Sequence, residues 1–423
     1  MTVSELISGV VNCECGKDHL CPIKEVVIGE GAISSIPRVS ADYKRILLVA
    51  DENTYAAAGK SVADILGNKI YDSVIFSGAE ILVPDERAID VINGKITEET
   101  DLILGVGSGV INDLCKHTSF MAKLPYHIVA TAPSMDGYAS KGAALILGGM
   151  KVTLNANVPE AIIADTDVLK DAPMPMILAG YGDIIGKYSC LTDWKLSSIV
   201  NGEYLCDFVL SATYEEIAKT RSLAKKLRSR DKDAIAALIR ALVAVGILMA
   251  YVGNSRPASG SEHHFSHYFE IVGIVKGEEY LSHGIDVFYS TAETSKIREI
   301  ILNTDINSVV AKPHDKANYE KRIKEIYGSV SDEVIALQNK LGWYDEKEKR
   351  ISIYRERWDE ICEILKSAPS FSEVSDMINE VGLSYDEFVT LYGRKKIDDA
   401  YLYAKDLKDR YTVLWMYSDI FSL

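Results

Sequence analysis

Short apolar runs rich in β-branched residues alternate with helix-patterned stretches as far as residue 165, and from there onward the pattern is almost entirely helical. The strand-like runs are residues 25–28 (EVVI), 45–50 (RILLVA), 73–77 (SVIFS), 101–109 (DLILGVGSG), 126–134 (YHIVATAPS) and 161–165 (AIIAD). Between them, 56–67 (AAAGKSVADILG) and 85–96 (DERAIDVINGKI) carry helical spacing, and a third helix follows Asn112 and Asp113. Alternation of this kind predicts a parallel, doubly wound sheet with helices on both faces. Pro173 and Pro175 mark the change of character. The predicted fold class is α/β: a doubly wound parallel-sheet nucleotide-binding domain over residues 1–170, then an all-helical metal- and substrate-binding domain over 171–423. Ligands of such a sheet bind beyond the carboxyl ends of its strands.

A chain of 423 residues is long enough for two or three domains, and its 48% hydrophobic and 25% charged residues are those of an ordinary globular enzyme. The net charge of -15 argues against nucleic acid or an anionic membrane surface as partner. The most apolar run, 241–252, follows Arg240 and is too short to span a bilayer, so it reads as a buried helix. Seven scattered cysteines form no disulfide framework, and the N-terminus lacks the basic and apolar regions of a signal peptide. The expected location is therefore the cytoplasm. Cys13, Cys15, His19 and Cys21 offer ligands for a zinc ion, but their spacing is not that of a CxxC knuckle. A surface loop with free thiols is the favoured reading.

The loop Gly105-Val106-Gly107-Ser108-Gly109-Val110-Ile111-Asn112-Asp113 lies between a strand and a helix. Glycines there let the backbone approach a ligand, and N–H groups opening a helix attract a pyrophosphate. Val110 stands where the third glycine of the usual dinucleotide fingerprint belongs, and the loop follows a late strand. Asp51 closes an earlier strand, where a carboxylate accepts hydrogen bonds from an adenosine ribose and favours NAD over NADP. A turn aspartate is the competing reading. Residues 131–140 (TAPSMDGYAS) end the next strand in hydroxyls, one carboxylate and a glycine.

Four of the eight histidines fall between residues 255 and 283: His263, His264, His267 and His283. His263 and His267 are four apart and share a helix face. Asp183, in GYGDIIGK, supplies the carboxylate such a cluster lacks. Asp-His-His ligation leaves coordination positions open, as a catalytic metal requires.

GVGSGVINDL, TAPSMDGYAS, GDIIGKYS…DW, SRPASGSEHHFSH and the ending DRYTVL together resemble the bacterial, AraM-type branch of the glycerol-1-phosphate dehydrogenases. That family lies within the iron-containing alcohol dehydrogenase and dehydroquinate synthase-like superfamily. The similar motifs run in one order from the N-terminal CxCG to the last fifteen residues. The resemblance implies a divalent metal on Asp183, His263 and His283, with Asp183 also touching substrate, and substrate contacts from His267 and Asp136. It implies a nicotinamide cofactor, NAD with NADP as the alternative, held by Asp51, Gly107, Ser108, Gly109, Val110, Ile111, Thr131, Ala132, Pro133, Ser134 and Ser140. Iron-type alcohol dehydrogenases carry a second histidine four residues after the aspartate, where this chain has Lys187; a charged lysine cannot ligate, so zinc or nickel is expected rather than ferrous iron. The implied reaction is reversible reduction of dihydroxyacetone phosphate, a phosphorylated triose, to glycerol 1-phosphate by a homodimer or higher homo-oligomer. Glycerol dehydrogenase, a dehydroquinate synthase-like lyase and a non-enzymatic metal or nucleotide sensor are the competing readings.

Overall fold

A computed structural model of the chain describes residues 1–148 and 150–421. The fold divides into two compact units that do not follow chain order. The first is Met1–Ile184 with Glu215–Ser255, and the second is Ile185–Tyr214 with Arg256–Leu423.

The first unit is built on six parallel strands: β1 (Glu25–Gly29), β2 (Ile46–Asp51), β3 (Ile70–Phe76), β4 (Leu102–Gly107), β5 (Tyr126–Ala130) and β8 (Ala161–Asp165). Their order is β1-β8-β5-β4-β2-β3, and every pairing is parallel. The four inner strands are buried almost throughout, as continuous apolar runs such as LILGVG and AIIAD require when helices cover both faces. Ile46, Leu48, Ala50, Leu102, Leu104 and Val106 meet Ile36, Ala58, Val62 and Leu66 in one core cluster. The outer strands β1 and β3 are only partly buried.

A second, antiparallel ribbon joins β6 (Gly142–Leu147) to β7 (Met150–Asn155), paired from Gly142 with Asn155 to Leu147 with Met150. The sequence reading places no strand there. Alanines and glycines of low strand propensity dominate GAALILGG, and the ribbon draws its stability from packing: Ala143 and Leu145 are fully buried.

Helix α1 (Gly109–Ala122) follows β4. Helix α2 (Met174–Asn201) begins in the first unit and passes into the second after Ile184; α3 (Asp207–Ser222) carries the chain back after Tyr214. Helix α4 (Lys232–Val252) belongs to the first unit. It has the length and composition to cross a membrane, yet every residue from Ala241 to Tyr251 is buried within the protein. At roughly 1.5–3 kcal/mol per buried large aliphatic side chain, that burial makes α4 a principal source of this unit's stability.

The described residues of the second unit contain helix and no strand. Helix α5 (Ser261–Lys276) and α6 (His283–Leu302) carry four of its five histidines, His314 lying beyond them, and α7 (Tyr385–Tyr403) is broken at Gly393, whose φ is 71°.

Candidate functional site

Strand β2 has β3 on one flank and β4 on the other, so the connections leaving β2 and β4 diverge. Such a reversal opens a crevice at the carboxyl ends of the two strands. Asp51 and Gly107 are the last residues of those strands. A Cβ on Gly107 would lie 2.5 Å from Cβ of Ile111, so glycine is what lets the chain turn directly from β4 into α1. Gly109, Val110 and Ile111 open α1, and their N–H groups have no partner within the helix. With the helix dipole behind them, N–H groups so placed favour an anion. The Ile111 and Ala132 side chains are buried. Asp51 caps the short helix beyond β2, its Oδ1 accepting from Thr54 N–H at 2.9 Å, so the turn-aspartate role and the expected ribose role share one carboxylate.

The loop after β5 is held from several directions. Thr131 N–H donates to the Gly107 carbonyl at 3.1 Å, and Tyr138 OH donates to the Ala132 carbonyl at 2.7 Å. On α2, a Cβ at Gly180 would fall 1.9 Å from the Pro133 carbonyl oxygen, and on α4 one at Gly246 would fall 2.7 Å from that of Asp136. Two glycines on two helices thus permit backbone contact with the loop carrying Pro133, Ser134, Asp136 and Ser140. One turn beyond Gly180, the buried Asp183 accepts from Asp136 N–H through Oδ2 at 3.0 Å. The structure therefore brings Asp136 and Asp183 together.

Lys116, which no sequence motif singles out, is fully buried under the same loop. Its ammonium donates to the carbonyls of Gly137 and Gly142 at 2.7 and 2.8 Å and lies 3.6 Å from Asp113 Oδ1. Ser140 Oγ donates to the Gly137 carbonyl at 3.2 Å and also approaches Lys116, so its hydroxyl helps fix the loop. An i, i+3 Asp–Lys pair inside an apolar helix was the available signal.

In the second unit His263, His267 and His283 form a single cluster. Ring centroids lie 5.0 Å apart for His263 and His283, 5.5 Å for His267 and His283, and 6.3 Å for His263 and His267. His264, on the other face of α5, is fully buried, and desolvation holds its imidazole neutral. Nδ1 of His263 lies 2.6 Å from Oε1 of Glu262, which also accepts from Gly260 N–H at 2.8 Å. Oε1 is the oxygen that accepts from Gly260 N–H, so it accepts from His263 as well; Nδ1 then carries the proton and Nε2 the lone pair. Burial pushes the Glu262 carboxyl up to about 7. His283 is arranged alike: Ser266 Oγ donates to the His283 carbonyl at 3.4 Å and lies 3.2 Å from Nδ1, from which it then accepts. Both rings are thereby in the tautomer that ligates a metal through Nε2, oriented by a carboxylate and a hydroxyl. His267 Nδ1 lies 3.9 Å from Glu270 Oε2, and its side chain keeps 17% exposure.

Longer-range contacts place the helices that carry these rings. Gly260 precedes α5 without a side-chain cap, and Asp193 substitutes for one, its Oδ2 accepting from Ser261 N–H at 2.7 Å while Oδ1 accepts from Val413 N–H at 2.7 Å. A Cβ at Gly260 would lie 2.6 Å from that Oδ2. Tyr392 OH donates to Asp286 at 2.9 Å and accepts from Leu281 N–H at 3.0 Å, pinning the start of α6 around His283. Lys187 is buried and donates to the Ala258 carbonyl at 3.0 Å, tying α2 to the segment ahead of α5.

A family model described as iron-containing alcohol dehydrogenase matches residues 27–173. The glycerol-1-phosphate dehydrogenase, NAD(P)+, of Geobacillus thermodenitrificans is 30% identical over 390 residues, covering 90% of this chain and 88% of the relative. That of Halalkalibacterium halodurans is 36% identical over 286 residues, covering 66% of this chain and 72% of the relative. The chain belongs to the glycerol-1-phosphate dehydrogenase family. Among solved structures, the sulfoacetaldehyde reductase of Bifidobacterium kashiwanohense, crystallised with NAD+, is similar in fold, with a TM-score of 0.59 at 13% identity over 96% of this chain and 98% of that one. Family membership agrees with the α/β-then-helical architecture expected from sequence, and it makes the chain an oxidoreductase.

Proposed function

We propose that this member of the glycerol-1-phosphate dehydrogenase family catalyses the reversible NAD(P)H-dependent reduction of dihydroxyacetone phosphate to sn-glycerol 1-phosphate. The observation that carries the reading is the pair of imidazoles, His263 and His283, each turned through Nδ1 by Glu262 and Ser266 into the ligating tautomer. Two neutral imidazoles and a carboxylate fit a divalent borderline ion, which favours Zn2+ or Ni2+. In this proposal Asp183, His263 and His283 hold it, residues 1–170 serve as the dinucleotide-binding domain and residues 171–423 as the metal and substrate domain.

A bound divalent ion supplies Lewis-acid polarisation of the substrate carbonyl. The N–H groups of Gly109, Val110 and Ile111 bind the cofactor pyrophosphate, with Gly107 and Ser108 shaping the turn. Thr131, Ala132, Pro133, Ser134 and Ser140 orient the nicotinamide half, and Asp51 accepts from the adenosine ribose. Asp136 and Asp183, linked through the Asp136 N–H, fix the substrate hydroxyls against the nicotinamide carbon, where correct placement supplies much of the rate. His267, the more exposed of the two histidines on this face of α5, hands a proton to the developing alkoxide oxygen and recovers it from solvent. The partner is a small phosphorylated triose, with no role for nucleic acid or membrane insertion; the enzyme works in the cytoplasm as a homodimer or higher homo-oligomer.

The test is a nicotinamide-absorbance assay with dihydroxyacetone phosphate, after loading with Zn2+ or Ni2+. Loss of reduced-cofactor absorbance that depends on the phosphorylated ketone supports the proposal. Preference for unphosphorylated glycerol, or turnover without net change in the cofactor, would overturn it. Replacing His267 with Ala should keep the catalytic metal and lose most activity, whereas His263→Ala should lose the catalytic metal and the activity together.

A further inference from the structure

The N-terminal thiols play no part in the reaction above, and their arrangement is that of a second metal centre. Cys13, Cys15 and His19 present ligand atoms that all lie within 4.8 Å of one another, and Cys15 Sγ is 3.3 Å from His19 Nε2. A tetrahedral zinc with bonds of about 2.3 Å to sulfur and 2.0 Å to nitrogen sets its ligand atoms roughly 3.3–3.8 Å apart, so only a small contraction separates the cluster from that geometry.

The histidine is prepared for the role independently of the thiols. His19 is fully buried, and its ring stacks on Tyr251 of α4, with centroids 5.1 Å apart and planes 17° from parallel. Its Nδ1 lies 3.4 Å from the Tyr251 carbonyl oxygen. A carbonyl can only accept, so Nδ1 carries the proton and the Nε2 lone pair is directed at the sulfurs, the same outer-sphere arrangement that orients histidine ligands of metals.

The loop itself is folded around this point. Val10 and His19 exchange two backbone hydrogen bonds of 2.8 Å, Gly16 N–H donates to the Cys13 carbonyl at 2.8 Å, and Asn12 N–H donates to Asp18 Oδ1 at 2.7 Å. Gly16 adopts φ 82° and Asn12 φ 57°, conformations that fold the CxCG turn back on itself. Cys21, which the sequence offered as a further ligand, is not a member of the cluster. Cys13 and Cys15 are not joined as a disulfide.

We propose that Cys13, Cys15 and His19 bind a structural zinc-class ion, distinct from the catalytic metal, that clips residues 10–19 onto α4. Two thiolates and an imidazole form a soft donor set selective for zinc over magnesium or calcium, and a fourth ligand completes the tetrahedron. Binding releases the thiol protons to solvent and involves no redox change.

The experiment counts metal in the full-length protein purified under reducing conditions and loaded with Zn2+. Wild type should hold two equivalents, and Cys13→Ser/Cys15→Ser should hold one. His263→Ala leaves the N-terminal loop intact, so X-ray absorption at the zinc edge of that variant should show at least two sulfur neighbours at about 2.3 Å. This second arm does not require the cysteine variant to fold. Full metal retention by the double cysteine variant, a metal-free His263→Ala protein, or zinc in that protein bound only by nitrogen and oxygen would each overturn the proposal.

Discussion

Nδ1 of His263 and Oε1 of Glu262 lie 2.6 Å apart, so the residue preceding the first histidine of the cluster sets which of its nitrogens faces outward. Glu262→Gln keeps an acceptor for both the Nδ1–H and Gly260 N–H but removes the charge, whereas Glu262→Ala leaves both buried donors unsatisfied. Removing such a partner weakens metal binding about 10–100-fold. A chelator-competition titration should therefore place Gln near the lower end of that range and Ala near the upper. Equal affinity in wild type and both variants would show that Glu262 does not orient the ring.

Gly180 makes a second prediction, because its missing side chain is what admits the Pro133 carbonyl to the surface of α2. A methyl group there would lie 1.9 Å from a backbone oxygen, and no rotamer change relieves such a clash. Gly180→Ala should displace the 133–136 loop from Asp183, raising KM for nicotinamide cofactor and lowering kcat at least tenfold. Overpacking of this kind also destabilises by about 1–3 kcal/mol. Gly246→Ala, with 2.7 Å to the Asp136 carbonyl, should do the same to a smaller degree. Wild-type kinetic constants in both would show that the loop tolerates the shift.

Much of this was open to reading in the sequence because some features are local. The inner strands announce themselves as unbroken apolar runs, since both of their faces are covered, and the four-residue spacing of His263 and His267 follows from helix geometry alone. The β6–β7 ribbon escaped because its alanines and glycines carry no strand signal and only packing selects the conformation. Asp193 escaped for another reason: it caps a helix 68 residues further along the chain, a contact no local pattern encodes. Lys187 departs visibly from the iron-type pattern, but that it ties α2 to the Ala258 carbonyl emerges only from the folded chain.

Buried His127 on β5 makes stability depend on pH. Desolvation lowers its pKa to about 4 from an ordinary value of 6.5, and Ser40 Oγ lies 3.3 Å from its Nδ1. Because the folded pKa is depressed, the unfolded chain takes up this proton first as pH falls. The contribution is fully present above 6.5 and is lost progressively between 6.5 and about 4, amounting to roughly 3 kcal/mol at most. His127→Gln retains a polar partner for Ser40 without titrating there. Urea unfolding at pH 7 and pH 5 should show a smaller loss of stability for the variant than for wild type; identical losses would exclude His127 as a source of the acid sensitivity.

The capping role of Asp51 and its proposed role in cofactor choice can be separated by a single substitution. Its Oδ1 caps the helix beyond β2 through Thr54 N–H, and its negative charge, at the carboxyl end of that strand, is what would repel the additional phosphate of NADP. Asp51→Asn preserves the capping oxygen and removes only the charge, whereas Asp51→Ala removes both, and loss of a cap costs about 1 kcal/mol. Asn should therefore melt near the wild-type temperature yet shift the ratio of kcat/KM for NADPH over NADH upward by about tenfold, the change expected from relieving roughly 1.4 kcal/mol of repulsion. Ala should show the same shift in cofactor preference together with a lowered Tm. If neither variant alters the NADPH to NADH ratio while Ala alone loses stability, Asp51 is a helix cap and the ribose is recognised elsewhere.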